Sequence, residues 1–459
     1  MPPNEERPYP INTFFWFFGA RNYPETAPLS LWLSGGPGAP SVAAALHENG
    51  PCHVNLDSQT TTLDPWSWND RVNMLYIDQP VQVGFSYDFL TNGTIDEIKN
   101  PFIVTPFEDE MPETNMTTLT GTFASQNVTS APVTTDMAAI AIWEMMQVWL
   151  ESFEPFTPVD NEISIWAQSY GGHYAPTYAS YFKEQNDRID DGELDEESTL
   201  KINIDTVGLI NACVDMETQL PFYPHMAYNN TYGIQAITEE EYQESLDAWP
   251  ECRNLTRTCR SMAEEMDPQG YGNVSDVNDA CYYAFDWCFS KIQYPFERSG
   301  LYHFDIQDQV PGSFPPKLVA GYLNRADVQQ ALGVPVNFTG LSAAVATGFN
   351  VSGDFVKGHN LAHLGELLDD GVKVALVYGD ADYQCNWYGG EALSLAIESE
   401  AQASFADAGY ADIQTNDSYV GGVVRQHGNL TFSRVYNAGH EGKRPTTHTD
   451  ILKTFLHME

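Results

Sequence analysis

Short apolar runs recur along the chain, each bounded by turn-forming residues. Apolar runs of about four to eight residues between such breakers predict buried β-strands. Four of them carry the argument, at residues 29–33, 163–166, 372–378 and 431–436. Residues 136–153 have apolar positions at helical spacing and predict a helix just before the second strand. Strands interspersed with helices predict an α/β protein.

The second of these strands runs directly into Ala167-Gln168-Ser169-Tyr170-Gly171. A serine between small residues, on a sharp turn from strand to helix, is typical of a nucleophile elbow, which exposes the hydroxyl at a cleft. Ala167 stands where the general pattern has glycine. An ordinary buried serine in a βα turn therefore fits the pentapeptide equally well, and the rest of the chain has to decide between the two interpretations.

Two later strands each run into a loop with an acid or a base. Asp380 and Asp382 follow the strand at 372–378, and His440 follows the strand at 431–436. A nucleophilic serine needs a histidine base and a carboxylate that orients it, and in α/β-hydrolases the chain order is Ser, Asp, His. This order is present here, and each residue follows a strand, which favours the catalytic interpretation of Ser169.

The first strand is followed by Ser34-Gly35-Gly36-Pro37-Gly38. Glycines at this place can turn backbone N–H groups toward a developing oxyanion, although a plain glycine–proline turn is the commoner meaning of such a run. No Gly-Lys-Ser/Thr follows, which excludes a phosphate loop, and no H-E-x-x-H pattern is present. We therefore expect neither a metal nor a cofactor.

Several motifs together resemble the serine carboxypeptidases, most closely the secreted fungal ones. They are WLSGGPG at 32–38, ENGPC at 48–52, NMLYIDQP at 73–80, GFSY at 84–87, QSYGGHY at 168–174, GDAD at 379–382 with CNW at 385–387, and AGHE at 438–441. The resemblance implies an α/β-hydrolase fold, with a central, mostly parallel sheet flanked by helices and an inserted helical cap. It also implies release of C-terminal amino acids from peptides and proteins through an acyl-enzyme.

The resemblance assigns roles to individual residues. It makes Ser169 the nucleophile, His440 the base, and Asp382 rather than Asp380 the partner of that base. It also implies an oxyanion hole formed by the backbone N–H groups of Gly36 and Tyr170.

The same resemblance implies that the substrate carboxylate is bound at Ser34, Gly35, Glu48 and Gln168. Ser34 stands where the family has asparagine, and Gln168 where it has a glutamate that shares a proton with Glu48. A glutamine donates hydrogen bonds at any pH. We therefore expect a pH optimum that is broader or higher than that of an enzyme with two glutamates. An esterase or acyltransferase with the same triad is the alternative, and a non-catalytic binding protein is a third.

The motifs divide the chain into three parts. We expect residues 1–212 to form the first part of the hydrolase core, with a polar surface insertion at about 91–135. We expect residues 213–300 to form the inserted cap, stapled by disulfides. Residues 301–459 are predicted to complete the core and to end in a helix near 446–457.

The chain has seven cysteines, and four of them lie within residues 252–288. Sequence alone allows three pairings of these four. Spacings of seven residues on two antiparallel helices favour nested bridges, Cys252–Cys288 and Cys259–Cys281. The resemblance makes Cys385 an unpaired thiol near the site, although a small buried side chain is its commoner role. The two remaining cysteines, at 52 and 213, could pair with each other.

Composition bears on partners and location. The net charge of −42 opposes binding to nucleic acid and to anionic membranes. No apolar run reaches the roughly 18 residues of a membrane span. Ten Asn-x-Ser/Thr sequons predict N-linked glycans. We therefore expect a secreted or vacuolar glycoprotein, and we expect a leader to have been removed, because the first six residues have no apolar core.

Overall fold

The structure is a computed structural model that describes residues 8–442, except residues 109, 157, 159–161, 313 and 417. The β-strands of this part of the chain are β1 (Phe15–Phe18), β2 (Leu29–Leu33), β3 (Cys52–Val54), β4 (Thr61–Leu63), β5 (Asn73–Ile77), β6 (Thr91–Asp96), β7 (Asn100–Pro106), β8 (Thr118–Phe123), β9 (Glu162–Gln168), β10 (Asn203–Ile210), β11 (Leu301–Tyr302), β12 (Asp305–Gln309), β13 (Lys373–Gly379), β14 (Tyr410–Asn416), β15 (Tyr419–His427) and β16 (Leu430–Val435).

The α-helices are α1 (Ser41–Ala44), α2 (Thr135–Ser152), α3 (Gly171–Asp190), α4 (Met216–Gln219), α5 (Tyr223–Tyr228), α6 (Glu239–Met266), α7 (Ser275–Cys288), α8 (Leu318–Leu323), α9 (Ala326–Leu332), α10 (Ala343–Ser352), α11 (Asp354–Lys357), α12 (Asn360–Asp369), α13 (Trp387–Ala396) and α14 (Gln402–Asp407). In the described residues no helix is both long enough and apolar enough to cross a membrane.

The elements predicted from the apolar pattern are confirmed. The four runs correspond to β2, β9, β13 and β16, and the predicted helix corresponds to α2. Helix α2 begins at Thr135 because the preceding Thr134 caps it, its Oγ1 accepting a hydrogen bond from the backbone N–H of Met137. The helix predicted near residues 446–457 lies outside the described residues.

The described residues of 8–163, 185–203 and 315–350 form a first compact unit. In this unit β5 pairs parallel with β2 and antiparallel with β1. Aromatic rings pack between β1 and the end of α2: the ring centroid of Phe17 lies 5.2 Å from that of Phe153 and 6.0 Å from that of Trp149. This packing holds α2 beside the strand pair.

The polar stretch at 91–135 contains a small sheet in addition to loops. Its strands neighbour one another in the order β7, β6, β8. Ile95, Val104 and Phe123 form the buried cluster of this sheet. The segment predicted as a surface insertion therefore has a small core of its own.

The described residues of 164–184, 204–314 and 351–442 form a second compact unit. Its strands neighbour one another in the order β9, β10, β13, β16, β15, β14. Strand β13 pairs in parallel with β10 on one side and with β16 on the other, and Leu376 lies opposite both Leu209 and Phe432. Because parallel strands end at the same edge of a sheet, the loops after β13 and β16 emerge side by side.

Helices α4 to α7 occupy most of the region predicted as a cap, while the boundaries of the three-part division remain a prediction. Helix α6 begins with a capping box, in which Thr238 and Glu241 exchange hydrogen bonds with each other's backbone N–H. Disulfides Cys252–Cys288 and Cys259–Cys281 join α6 to α7. The predicted nested pairing is therefore confirmed.

Candidate active site

Ser169 lies on a strained turn between β9 and α3. Its φ of 62° is in the left-handed region, which is unfavourable for a residue other than glycine. Hydrogen bonds hold the turn in this conformation: the Ser169 carbonyl accepts from the N–H of Gly172 and from that of Cys213, each at 3.0 Å. A Cβ at position 172 would lie 2.5 Å from the Cys213 carbonyl oxygen, so glycine is required there. This is the geometry of a nucleophile elbow.

Asp382 and His440 are in direct contact in the second unit. Their side chains are 0% and 2% exposed, and His440 Nδ1 lies 2.8 Å from Asp382 Oδ2. A carboxylate only accepts hydrogen bonds, so the proton resides on Nδ1 and the lone pair on Nε2 is left to act as a base. The prediction that Asp382 is the partner of His440 agrees with this contact.

Three further donors orient the Asp382 carboxylate. Its Oδ1 accepts from the N–H of Gln384 at 3.0 Å. Its Oδ2 accepts from the N–H of Cys385 at 3.1 Å and from the Asn211 side-chain amide at 3.0 Å. A buried carboxylate needs such donors, because an unsatisfied buried charge is costly. Sequence reasoning missed Asn211, which follows β10 and is not part of the motifs considered.

Asp380 has a different set of partners. Its Oδ2 accepts from Arg434 Nη2 at 2.9 Å and Nε at 3.1 Å, and its Oδ1 accepts from the N–H of Asn437 at 2.7 Å and from the Tyr232 hydroxyl. The Arg434 guanidinium lies 3.7 Å from the ring centroid of Trp387. Asp380 thus ties the loop after β13 to the loop that carries the histidine.

The Gln168 side chain reaches the histidine loop. Its Nε2 donates to the backbone carbonyl of His440 at 3.1 Å. Phe304 also holds His440 in place. The backbone N–H of His440 donates to the Phe304 carbonyl at 2.8 Å, and the ring centroids of the two residues lie 4.5 Å apart. Sequence reasoning assigned Gln168 to substrate binding, which stays a prediction, and missed its internal contact with the His440 carbonyl.

Tyr170 is anchored through its ring and its hydroxyl. The hydroxyl donates to Asp354, and the ring stacks on His173 with centroids 4.5 Å apart. His173 Nδ1 accepts from the Asn360 amide at 2.8 Å. Burial lowers the pKa of His173 to about 4, so the imidazole is neutral at weakly acid and neutral pH.

The glycine loop lies in the first unit. Gly36 has φ of 107°, and a Cβ there would lie 2.6 Å from the Gly38 nitrogen, so the loop requires glycine. The N–H of Ser34 donates to Ser41 Oγ at 3.1 Å. Glu48 is 2% exposed. The predicted site residues Ser34, Gly35, Gly36 and Glu48 therefore lie in one unit, and Gln168, Ser169, Tyr170, Asp382 and His440 in the other.

Asp78, in the IDQP motif, organises the chain that follows this loop. Its carboxylate accepts from the N–H groups of Val42 and Phe85, each at 3.0 Å. Burial raises the pKa of Asp78 to about 7, and these hydrogen bonds oppose that rise. A Cβ at Gly84 would lie 2.1 Å from the carboxylate, which explains the glycine at that position.

The prediction of an unpaired thiol at position 385 is wrong. Cys385 forms a disulfide with Cys213, from which it is 172 residues distant in sequence. All seven cysteines lie in the described residues, and Cys52 is the free one, which excludes the pairing of Cys52 with Cys213 that the sequence left open. Sequence reasoning had no local signal for this bridge, whose two cysteines follow β10 and β13, neighbouring strands of the second unit.

Comparison with known proteins agrees with this geometry. A family model described as serine carboxypeptidase matches residues 10–458. Carboxypeptidase S1 homolog A of Arthroderma otae is 46% identical over 453 residues, which cover 96% of this chain and 69% of that protein. Carboxypeptidase S1 of Penicillium janthinellum is 32% identical, over 94% of this chain and 88% of that protein.

A solved structure shows the same fold. The prohormone-processing carboxypeptidase Kex1 from Saccharomyces cerevisiae superposes with a TM-score of 0.72 at 21% identity, covering 99% of this chain and 87% of that one. The predicted α/β-hydrolase fold is thereby confirmed. With a family match along nearly its whole length and relatives of this similarity, the chain belongs to the serine carboxypeptidase family.

Proposed function

We propose that this chain is a serine-type carboxypeptidase in which Ser169, His440 and Asp382 carry out the hydrolysis. The hydrogen bond between His440 Nδ1 and Asp382 Oδ2, at 2.8 Å between buried side chains, is the observation that supports these roles most directly. It leaves Nε2 of His440 as the base. Ser169, on the strained turn after β9, is the nucleophile that this base serves.

The reaction has two halves. In the first, Ser169 Oγ attacks the carbonyl of the last peptide bond while His440 Nε2 takes the hydroxyl proton and then gives it to the departing amino acid. In the second, water attacks the acyl-enzyme and His440 again accepts and returns a proton. Asp382 stabilises the imidazolium in both halves. The backbone N–H groups of Gly36 and Tyr170 are proposed to stabilise the oxyanion.

Two of the residues predicted to bind the free C-terminus of the substrate, Ser34 and Gln168, differ from those of the family. We assign the substrate carboxylate to Ser34, Gly35, Glu48 and Gln168, as the family resemblance implies. Gln168 is neutral, so its amide donates at every pH. The same amide donates to the His440 carbonyl, so we expect Gln168 to influence both carboxylate binding and the position of the base.

Hydrolysis of three matched substrates tests the proposal. An N-blocked dipeptide with a free C-terminus is compared with its C-terminal amide and its ester, from acid to neutral pH. We expect preferential cleavage of the free acid, loss of activity in Ser169→Ala, and unchanged activity in Ser198→Ala, a serine exposed on the surface. Ester cleavage without peptide cleavage would overturn the carboxypeptidase assignment in favour of an esterase or acyltransferase.

Gln168→Glu tests the role of the neutral amide. A glutamate can donate to the His440 carbonyl only when it is protonated. We therefore expect activity of this variant to fall as the pH rises toward neutrality, whereas the native enzyme stays active. Gln330→Glu, at an exposed position on α9, adds the same charge away from the site. If Gln168→Glu and the native enzyme have the same pH profile, the role of Gln168 is refuted.

Three disulfides agree with folding in the secretory pathway. We propose that the protein is secreted or vacuolar and carries N-linked glycans. Seven sequon asparagines are exposed: 92, 115, 127, 229, 254, 273 and 350. Asn337 and Asn429 are only partly exposed, and their amide nitrogens donate to Asn324 Oδ1 and to the Gly371 carbonyl. Endoglycosidase treatment with peptide mapping should find glycans at the exposed positions; their complete absence from protein made in a secreting fungal host would contradict this.

A further inference from the structure

The Cys213–Cys385 disulfide joins two segments that both contact the proposed catalytic residues. Its cysteines are 5% and 1% exposed. Cys213 lies three residues after the end of β10, and Cys385 lies three residues after Asp382. The bridge therefore lies inside the second unit and joins the segment after β10 to the loop that carries Asp382.

One end of the bridge supports the nucleophile. The N–H of Cys213 donates to the Ser169 carbonyl at 3.0 Å, which helps to hold the serine at its positive φ. Two residues earlier, the Asn211 amide donates to Asp382 at 3.0 Å. The segment around Cys213 thus contacts both Ser169 and Asp382.

The other end supports the carboxylate. The N–H of Cys385 and that of its neighbour Gln384 donate to Asp382 at 3.1 Å and 3.0 Å. The Gln384 carbonyl accepts from the hydroxyl of Tyr223. The turn at 383–385 therefore supplies two of the donors that fix the direction in which Asp382 faces its histidine.

We propose that the Cys213–Cys385 bridge positions the triad, by keeping the donors to Ser169 and the donors to Asp382 at a fixed separation. The inference rests on the proposed roles of Ser169 and Asp382. Both cysteines act through the residues that their backbone N–H groups contact, Ser169 and Asp382, so they are positioning residues. The turn also keeps two bonds from the N–H groups of Tyr383 and Gln384 to the His303 carbonyl. We therefore expect a protein without the bridge to fold but to have a lower kcat.

The test compares two double variants. Cys213→Ala with Cys385→Ala removes this bridge, and Cys259→Ala with Cys281→Ala removes one bridge of the α6–α7 pair as a matched control. For each, kcat and KM are measured on the free-acid dipeptide, together with the rate at which a fluorophosphonate labels Ser169. We expect kcat and the labelling rate of the first variant to fall about 10- to 100-fold, because shifts of about 1 Å in catalytic groups cost that much.

Several results would overturn the proposal. They are a kcat within about twofold of the native enzyme, a change in KM alone, or an equal loss of kcat in the control variant. Native protein that shows neither labelling nor hydrolysis would instead refute the proposed function, so the two failures are distinguishable.

If the first variant does not fold, reduction of the folded native protein decides the question. One phosphine and one water convert the bridge to two thiols and leave a phosphine oxide. Reduction continues until mass spectrometry of alkylated aliquots shows Cys213 and Cys385 as free thiols, while activity is measured on aliquots that are not alkylated. Activity should fall as this bridge opens and return on reoxidation. Full activity with both thiols free would refute the proposal.

Discussion

Replacing His173 with glutamine removes a buried imidazole from the first turn of α3. His173 is 2% exposed, and its ring stacks on that of Tyr170 with centroids 4.5 Å apart. Its Nδ1 accepts from the Asn360 amide at 2.8 Å. A glutamine carbonyl can accept the same hydrogen bond but cannot take up a proton in this pH range. The substitution therefore isolates the titration of His173 from its hydrogen bonding.

Burial is the main reason why the pKa of His173 falls from 6.5 to about 4. The negative charges of Asp354 and Asp215 oppose the fall, and the positive charge of Arg260 adds to it. The unfolded chain takes up the proton first, at about pH 6.5. Its uptake is complete before the folded state follows near pH 4. The stability that a neutral His173 contributes is therefore fully present above about pH 6.5 and is lost as the pH falls toward 4.

The magnitude follows from the gap between the two pKa values. About 2.5 pH units at about 1.4 kcal/mol each correspond to about 3 kcal/mol of unfolding free energy. Guanidinium unfolding at pH 7.5, 5.5 and 4, followed by tryptophan fluorescence, measures it. When the pH is lowered from 7.5 to 4, we expect the unfolding free energy of the native protein to fall by about 3 kcal/mol relative to that of His173→Gln.

At pH 7.5 the variant should be less stable by about 1 kcal/mol, because the stacked ring is lost. His427→Gln, at an exposed position at the end of β15, is the matched control. A difference between the native protein and His173→Gln that stays constant across this pH range would refute the reasoning, since the buried imidazole would then contribute nothing to the pH dependence.

Three further predictions concern the loop after β13 and the free cysteine. Asp382→Asn should lower kcat about 10⁴-fold in steady-state assays without loss of fold, because an amide does not hold His440 in the required tautomer; a loss under about tenfold would contradict this. Asp380→Ala leaves the mostly buried Arg434 guanidinium without its partner and should lower the unfolding free energy by about 3 kcal/mol; a change below about 1 kcal/mol would be evidence against it. Maleimide treatment of the native protein should add one adduct, at Cys52, and slowly, because burial raises the pKa of that thiol; a second adduct would contradict the three bridges.

The sequence allowed prediction of those parts of the site that depend on local pattern. Ser169, Asp382 and His440 each follow an apolar run, and the runs proved to be β9, β13 and β16. The choice of Asp382 over Asp380 came from the family motif and agrees with the hydrogen bond to His440. The nested bridges of α6 and α7 were predictable because each helix has two cysteines seven residues apart. This spacing puts both cysteines of a helix on the face that meets the other helix.

Long-range contacts were not predictable from the same patterns. Gln168 and His440 are 272 residues apart, and their bond joins a side chain to a backbone carbonyl, which no residue pattern encodes. The Cys213–Cys385 bridge closes 172 residues, and the family resemblance pointed away from it. The sheet of β6, β7 and β8 was missed for another reason. Its strands bury only a few apolar side chains, so the alternation that indicates a strand is weak.

The nested bridges between α6 and α7 have a consequence for a chain that is cut. The connection between the two helices runs from residue 267 to residue 274, and both disulfides link residues on opposite sides of it. A protease that hydrolysed one peptide bond in this connection would produce two polypeptides that stay covalently joined. Such a nicked molecule would migrate as one species until it was reduced. This region could therefore be processed, or lengthened during evolution, while its two helices remain paired.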